Sequence, residues 1–321
     1  MAEKNILDVK NLIVDIITPS GIIHPVKNVN LVVAKKEILG IIGESGSGKS
    51  VTIKSVMRLH NEKKIDIKGD VLFEGKNILN CSEKEMKNIR GSEISMIFQD
   101  PMVSLNPIKT IGKQLVEMIL NNEKVSKQEA KERVLAAFRK VEINPPEERF
   151  NQYPFELSGG MLQRIVIAMS IVCNSKLLLA DEPTTALDVS TQEQVLKLIK
   201  DIRDKEDMAV IVVTHNFGVV AEICDTVAVM YAGEIVESGD VREIFNNPKH
   251  PYTKALMKSR PSKELRGKKM ETIKGVPSSL YSVPEGCSFA PRCSKATELC
   301  FSKKPKVTIE DGHMVACSLF E

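Results

Sequence analysis

Three groups of residues in this 321-residue sequence have types and spacings that can do chemistry. The first is Gly43-Glu44-Ser45-Gly46-Ser47-Gly48-Lys49-Ser50. Its glycines let the backbone curl so that successive N–H groups point at one phosphate chain. Lys49 reaches the β- and γ-phosphates of a nucleoside triphosphate, and Ser50 supplies an oxygen to Mg2+. The second group is Asp181-Glu182, two carboxylates that follow the apolar run Leu177-Leu178-Leu179-Ala180. Asp181 suits a Mg2+ ion held through water, and Glu182 suits a general base that polarises an attacking water. The third group, Cys287, Cys293, Cys300 and Cys317, crowds the end of the chain. In a reducing compartment such a cluster points to a metal before disulfides. Four thiolates can hold a 4Fe–4S cluster or a zinc ion, and the spacing lacks the C-x2-C pairs of structural zinc. Cys81, Cys173 and Cys224 are scattered and read as small buried hydrophobes.

These residues need elements to hold them. Ile38, Leu39, Ile41 and Ile42 form a buried strand running into the glycine loop, and Val51–Met57 forms the helix after it. That helix start, with Val51 beside Ser50, adds partial positive charge to the phosphate site. Residues 6–16 and 29–33 read as strands around a turn at Pro19-Ser20-Gly21, and 69–76 as a short strand and turn. Ile94–Phe98 is an apolar strand ending at Gln99. Residues 100–160 read as a helical insertion: Val134, Phe138 and Val141 recur at i, i+4 and i+7, and Pro145-Pro146 ends that helix. Leu157-Ser158-Gly159-Gly160 opens an apolar helix through Cys173. Ser190-x-x-Glu193 reads as a capping box for a helix with Val195, Leu198, Ile199 and Ile202 on its core face. Val210–Thr214 is a buried strand ending at His215, and 227–237 a hairpin around Ala232-Gly233. The alternation predicts an α/β fold on a doubly wound, mainly parallel sheet with an antiparallel N-terminal portion. Past residue 245 the composition turns to Pro, Lys and Ser, which predicts a nucleotide-binding domain over 1–245 and an accessory domain over 246–321.

Composition narrows the function classes. A net charge of only +3, from 45 basic and 42 acidic residues, gives no polyelectrolyte surface for nucleic acid. Trp is absent and aromatics are 4 %, too few for a base-stacking groove. No apolar run approaches the ~18–20 residues of a membrane span, and the N-terminus has no apolar signal region. A cytosolic protein is expected.

The order of the glycine loop, Gln99, Leu157-Ser158-Gly159-Gly160, Leu179-Ala180-Asp181-Glu182-Pro183, Ala186-Leu187-Asp188 and His215 resembles an ATP-binding-cassette (ABC) ATPase over residues 5–245. The resemblance implies a P-loop NTPase cassette with a RecA-like core, an antiparallel β subdomain and a helical subdomain. It implies two such domains packed head to tail, each ATP lying between one subunit's loop and the partner's Ser158, Gly159 and Gly160 equivalents. A Ser hydroxyl, glycine N–H groups and a helix N-terminus suit a γ-phosphate. His215 would contact that phosphate and the attacking water. Gln99 would sense water and Mg2+, and Asp188 would sit at the dimer seam. Met161 stands where the family's signature has Gln, and Ile16 where an aromatic stacks on adenine, leaving His24 or Arg58 to meet the ring.

The tail, with Asn247–Thr253 and Gly286–Cys293, resembles the ATPase subunits of dipeptide and oligopeptide importers, including relatives that import nickel. That resemblance favours the 4Fe–4S cluster over zinc, in a structural role. It implies a non-identical homologous ATPase, two membrane-spanning permease subunits, an extracytoplasmic peptide-binding protein, and a location on the cytoplasmic membrane face. A soluble cassette ATPase of DNA repair or translation is the competing class, but it would need two cassettes or a long coiled-coil insertion. A catalytically silent regulatory subunit would lack Glu182 and His215.

Overall fold

The computed structural model describes residues 5–61, 64–185, 187–259 and 273–321. The described residues form two compact units, one built from Ala34–Ile38 and Asn80–Val213, the other from Leu7–Val33, Leu39–Leu79 and Thr214–Glu321.

The second unit begins with β1 (Leu7–Thr18) and β2 (Gly21–Val33), paired antiparallel from Leu7 with Val33 to Thr18 with Gly21. β2 therefore starts well before residue 29. Residues 21–28 lack a clean apolar alternation, and pairing along the far end of β1 is what makes them a strand. β3 (Ile38–Ile42) is buried along its whole length and feeds the glycine loop and α1 (Lys49–Val56). β4 (Ile65–Phe73) returns along β1, and β5 (Lys76–Asn77) closes a four-stranded antiparallel sheet in the order β2-β1-β4-β5.

The first unit carries α2 (Glu83–Ile89), β6 (Ile94–Ile97), α3 (Ile111–Asn122), α4 (Lys127–Lys140), α5 (Pro146–Phe150) and α6 (Gly159–Ile171). It continues through β7 (Leu177–Asp181), α7 (Val189–Glu206) and β8 (Ala209–Thr214). β6, β7 and β8 pair in parallel, and β7 and β8 are buried on both faces, which explains their unbroken apolar sequence. Two local readings change. α4 already stops at Lys140, and Pro146 begins α5, because a fixed φ and missing N–H suit a first helical turn. α7 is capped by Asp188, not Ser190: its carboxylate accepts from the Thr191 N–H at 3.0 Å.

The chain then returns to the second unit with α8 (Phe217–Ile223), β9 (Thr226–Tyr231), β10 (Glu234–Asp240), α9 (Val241–Asn246) and α10 (Pro251–Lys258). α11 (Glu298–Ser302), β11 (Val307–Glu310) and β12 (His313–Ala316) complete it. β3 pairs parallel with β9, whereas β9–β10, β10–β12 and β12–β11 are antiparallel. The sheet is mixed, and the tail contributes two of its strands.

Candidate nucleotide site and cysteine site

The glycine loop is shaped by close approach. Gly48 caps α1 at φ 107°, and a Cβ there would lie 2.1 Å from the Pro25 carbonyl oxygen, so no other residue fits without moving backbone. Lys49 is buried, and its Nζ donates to the carbonyls of Gly43 at 2.9 Å and Glu44 at 3.0 Å. Ser47 is buried too, and among the described residues its hydroxyl has no hydrogen-bond partner. An orphaned hydroxyl, a buried ammonium and a helix start together fit an oxyanion-rich ligand. Ser45 and Gly46 sit at the exposed crest, and Ser50 and Val51 follow in the first turn of α1. His215, directly after β8, is exposed. Of the residues expected near adenine, Ile16 is half-buried, and His24 is held by Asp15 through a 2.5 Å Nδ1–Oδ1 contact. Arg58 lines a small cavity with His60 and Ile65.

In the first unit, Asp181 ends β7 and is 2 % exposed. Glu182 follows at φ 49°, a left-handed conformation that a branched or long side chain rarely adopts. It is held there by its N–H, which donates to the Val213 carbonyl at 2.9 Å. Backbone strain of this kind collects at functional sites, where surrounding structure over-determines it. The carboxylate accepts from Gln99 Nε2 at 3.3 Å and Thr185 Oγ1 at 2.8 Å. Gln99 and Glu182, 83 residues apart, thus meet. Thr185 was not singled out from the sequence; its signal is a hydroxyl three residues after the candidate base.

Ser158 is the N-cap of α6, accepting from the Met161 N–H at 3.4 Å. Ser158 and Gly159 are exposed, so the positive start of α6 is open to a ligand. A Cβ on Gly160 would lie 2.8 Å from the Thr191 methyl, which ties this turn to the start of α7. Asp188 is exposed, and hydrogen bonds from the Thr191 hydroxyl and N–H hold its carboxyl below the usual carboxylate range. Ala186 lies outside the described residues.

Cys287, Cys293, Cys300 and Cys317 all line one small cavity, together with His250 and Phe289. All four are free. Burial pushes the Cys287 thiol up to about 11 and raises those of Cys293 and Cys317 as well. Gly286 lets the first thiol turn in: a Cβ there would lie 2.1 Å from the Cys300 carbonyl oxygen, the atom that accepts the Cys287 N–H at 2.7 Å. Among the described residues, no three His, Cys, Asp or Glu side chains stand close enough to hold a metal ion. The four thiols nonetheless line that one cavity, and thiolate donors are what an iron–sulfur cluster or zinc requires. Cys81, Cys173 and Cys224 are buried and apart from this group.

A phosphate loop, a strand ending in Asp-Glu and a serine-capped glycine helix define a cassette ATPase. The ABC transporter family profile matches residues 26–185, and the profile of the oligopeptide/dipeptide transporter C-terminal region matches 236–300. The chain is 49 % identical to the oligopeptide transport ATP-binding protein OppD of Bacillus subtilis (strain 168), over 97 % of this chain and 87 % of that protein. It is 48 % identical to the dipeptide transport ATP-binding protein DppD of the same organism, over 98 % and 95 %. Among solved structures it resembles a bacterial ABC transporter cassette in dimeric form (TM-score 0.66, 29 % identity, 74 % of this chain and 99 % of that one). A cassette dimer in a post-hydrolysis state bound to ADP and Pi matches with TM-score 0.66 and 28 % identity, over 74 % and 99 %. The chain belongs to the ABC transporter ATP-binding proteins, in the branch that carries the oligopeptide/dipeptide transporter C-terminal region. Among the described residues no helix is long and apolar enough to cross a membrane.

Proposed function

We propose that this chain is the ATP-hydrolysing, energy-coupling subunit of a dipeptide or oligopeptide importer. The observation that carries the reading is the presence of both family regions in one chain, at nearly half identity to OppD and DppD along almost its whole length. Residues 1–245 supply the nucleotide chemistry and 246–321 the accessory part. Gly43, Ser45, Gly46, Ser47, Gly48, Lys49 and Val51 hold the phosphates, while Ser50, Gln99 and Asp181 hold Mg2+, which neutralises phosphate charge. Glu182 takes the proton of the attacking water, with Gln99 and Thr185 orienting its carboxylate, and His215 contacts the γ-phosphate. Ser158, Gly159 and Gly160 act on the nucleotide of a second, homologous cassette subunit, and Asp188 lies at that seam. ATP binding closes the pair and hydrolysis reopens it, and two membrane-spanning permeases convert the motion into transport of peptide delivered by an extracytoplasmic binding protein. The chain works on the cytoplasmic face of the membrane. Cys287, Cys293, Cys300 and Cys317 hold a 4Fe–4S cluster, with zinc as the alternative, that braces the tail.

The test is Glu182→Gln in the assembled transporter. ATP binding should persist while turnover falls by about 10²–10⁴-fold, the usual worth of a general base. Normal turnover in that variant would remove the base assignment. Uptake of labelled di- and oligopeptides set against nickel by the intact complex distinguishes the cargo. Iron content, with absorbance near ~400 nm in anaerobically purified protein, decides cluster against zinc.

A further inference from the structure

Glu44 is the second residue of the phosphate loop, and three of its groups are held. Its carbonyl accepts from Lys49 Nζ at 3.0 Å and from the Ser47 N–H at 3.1 Å, so Glu44 positions both the ammonium and the crest of the loop. Its own N–H donates to the Tyr252 hydroxyl at 2.9 Å. Its carboxylate takes both arms of the Arg292 guanidinium, Nη1 at 2.6 Å and Nη2 at 3.0 Å. Tyr252 and Arg292 are both tail residues. The Arg292 side chain is only 3 % exposed, and it also donates to the carbonyls of Lys274 and Ile273, at 3.0 and 3.3 Å, and to the Tyr231 hydroxyl at 3.4 Å. Tyr252 is fully buried in a ring cluster with Tyr231 and Phe289, at centroid separations of 4.6 and 5.3 Å. Phe289 and Arg292 both lie in the short segment between Cys287 and Cys293.

A buried, bidentate guanidinium–carboxylate pair fixes geometry as well as charge. Here the carboxylate end is the half-exposed one, which leaves the rigid end in the tail. We propose that Arg292 and Tyr252 are positioning residues for ATP binding: the tail clamps Glu44 and so presets Lys49 and the loop backbone for phosphate, making nucleotide affinity depend on the state of the Cys287–Cys293 segment. This rests on the reading of the loop as the ATP site.

The experiment measures ATP affinity and steady-state hydrolysis of the full chain in its complex. Arg292→Gln should raise the KM for ATP about tenfold or more, the worth of a hydrogen bond to a charged group, while kcat stays within about twofold because no group touching the reacting atoms changes. Tyr252→Phe keeps the ring and removes only the hydroxyl; it should shift KM in the same direction by less. Glu44→Gln breaks the pair from its half-exposed side and keeps the question answerable should loss of Arg292 unfold the tail. In the double variant Glu44→Gln/Arg292→Gln the losses should not add, since either change alone opens the clamp. Unchanged KM in Arg292→Gln and Glu44→Gln, or additive losses in the double variant, overturns the clamp. If the unaltered chain binds no ATP, or Lys49→Ala binds as well as it does, the reading of the loop fails instead.

Discussion

At the scale of single residues, the second unit stakes much on a few buried polar groups. His250 is 1 % exposed, and its Nδ1 accepts the Tyr252 N–H at 3.0 Å, capping α10. Burial lowers its pKa from the ordinary 6.5 to about 3. The unfolded chain therefore takes up a proton near pH 6.5 that the folded chain refuses until about pH 3. Stability is fully present above pH 6.5 and is lost as pH falls through that window, at up to about 1.4 kcal/mol per pH unit. Melting temperatures should fall between pH 7 and pH 5, and His250→Asn, which keeps a capping acceptor, should show a shallower fall. An identical pH slope in the variant would show that His250 does not set it. Glu182, at φ 49°, is another residue that local preference would not place where it is. Its conformation is supplied by the Val213 carbonyl and by the two side chains that hold its carboxylate.

Elements explain what could be read in advance. The glycine loop was legible because a phosphate must be wrapped by consecutive N–H groups, so the chemistry forces the residues to be contiguous. β3, β7 and β8 were legible because strands buried on both faces are apolar without a break. The cap of α7 was misplaced because two cap patterns overlap: Ser190 with Glu193, and Asp188 with Thr191, where the carboxylate wins both bonds. The clamp on Glu44 had no local signal at all, since its partners stand 208 and 248 residues away. The same holds for Gly286, which reads as an ordinary loop glycine until the Cys300 carbonyl is seen against it. Gly286→Ala should push these backbones apart, cost about 1–3 kcal/mol and speed alkylation of the Cys287 thiol. Unchanged labelling kinetics would mean the segment has room to spare.

For the molecule as a whole, one family region ends at residue 185 and the other begins at 236, yet the tail folds into the same unit as the phosphate loop. β12 pairs with β10 through Glu237 and Ser238. Glu237 is completely buried and accepts from the backbone N–H groups of Lys249 and His250 and from His313 Nε2 at 2.7 Å. A chain ending at residue 245 would keep the carboxylate, lose all three partners and leave the edge of β10 bare. It should express as soluble aggregate or not at all, as size-exclusion chromatography would report, because an unpaired edge is a template for further strands. A monodisperse, ATP-binding fragment would contradict this.

The order in which the units can form follows from the same layout. Apart from the short pieces that end at Ile6 and Ile38, the first unit is the continuous run Asn80–Val213, whereas the unit holding the phosphate loop draws on Leu7–Val33, Leu39–Leu79 and Thr214–Glu321. During synthesis the first can close while the chain is still emerging, from contacts that are near in sequence. The phosphate loop, made early, must wait for Arg292 and for the strand His313–Ala316. ATP binding is therefore a capacity the chain acquires only once these tail residues have been made.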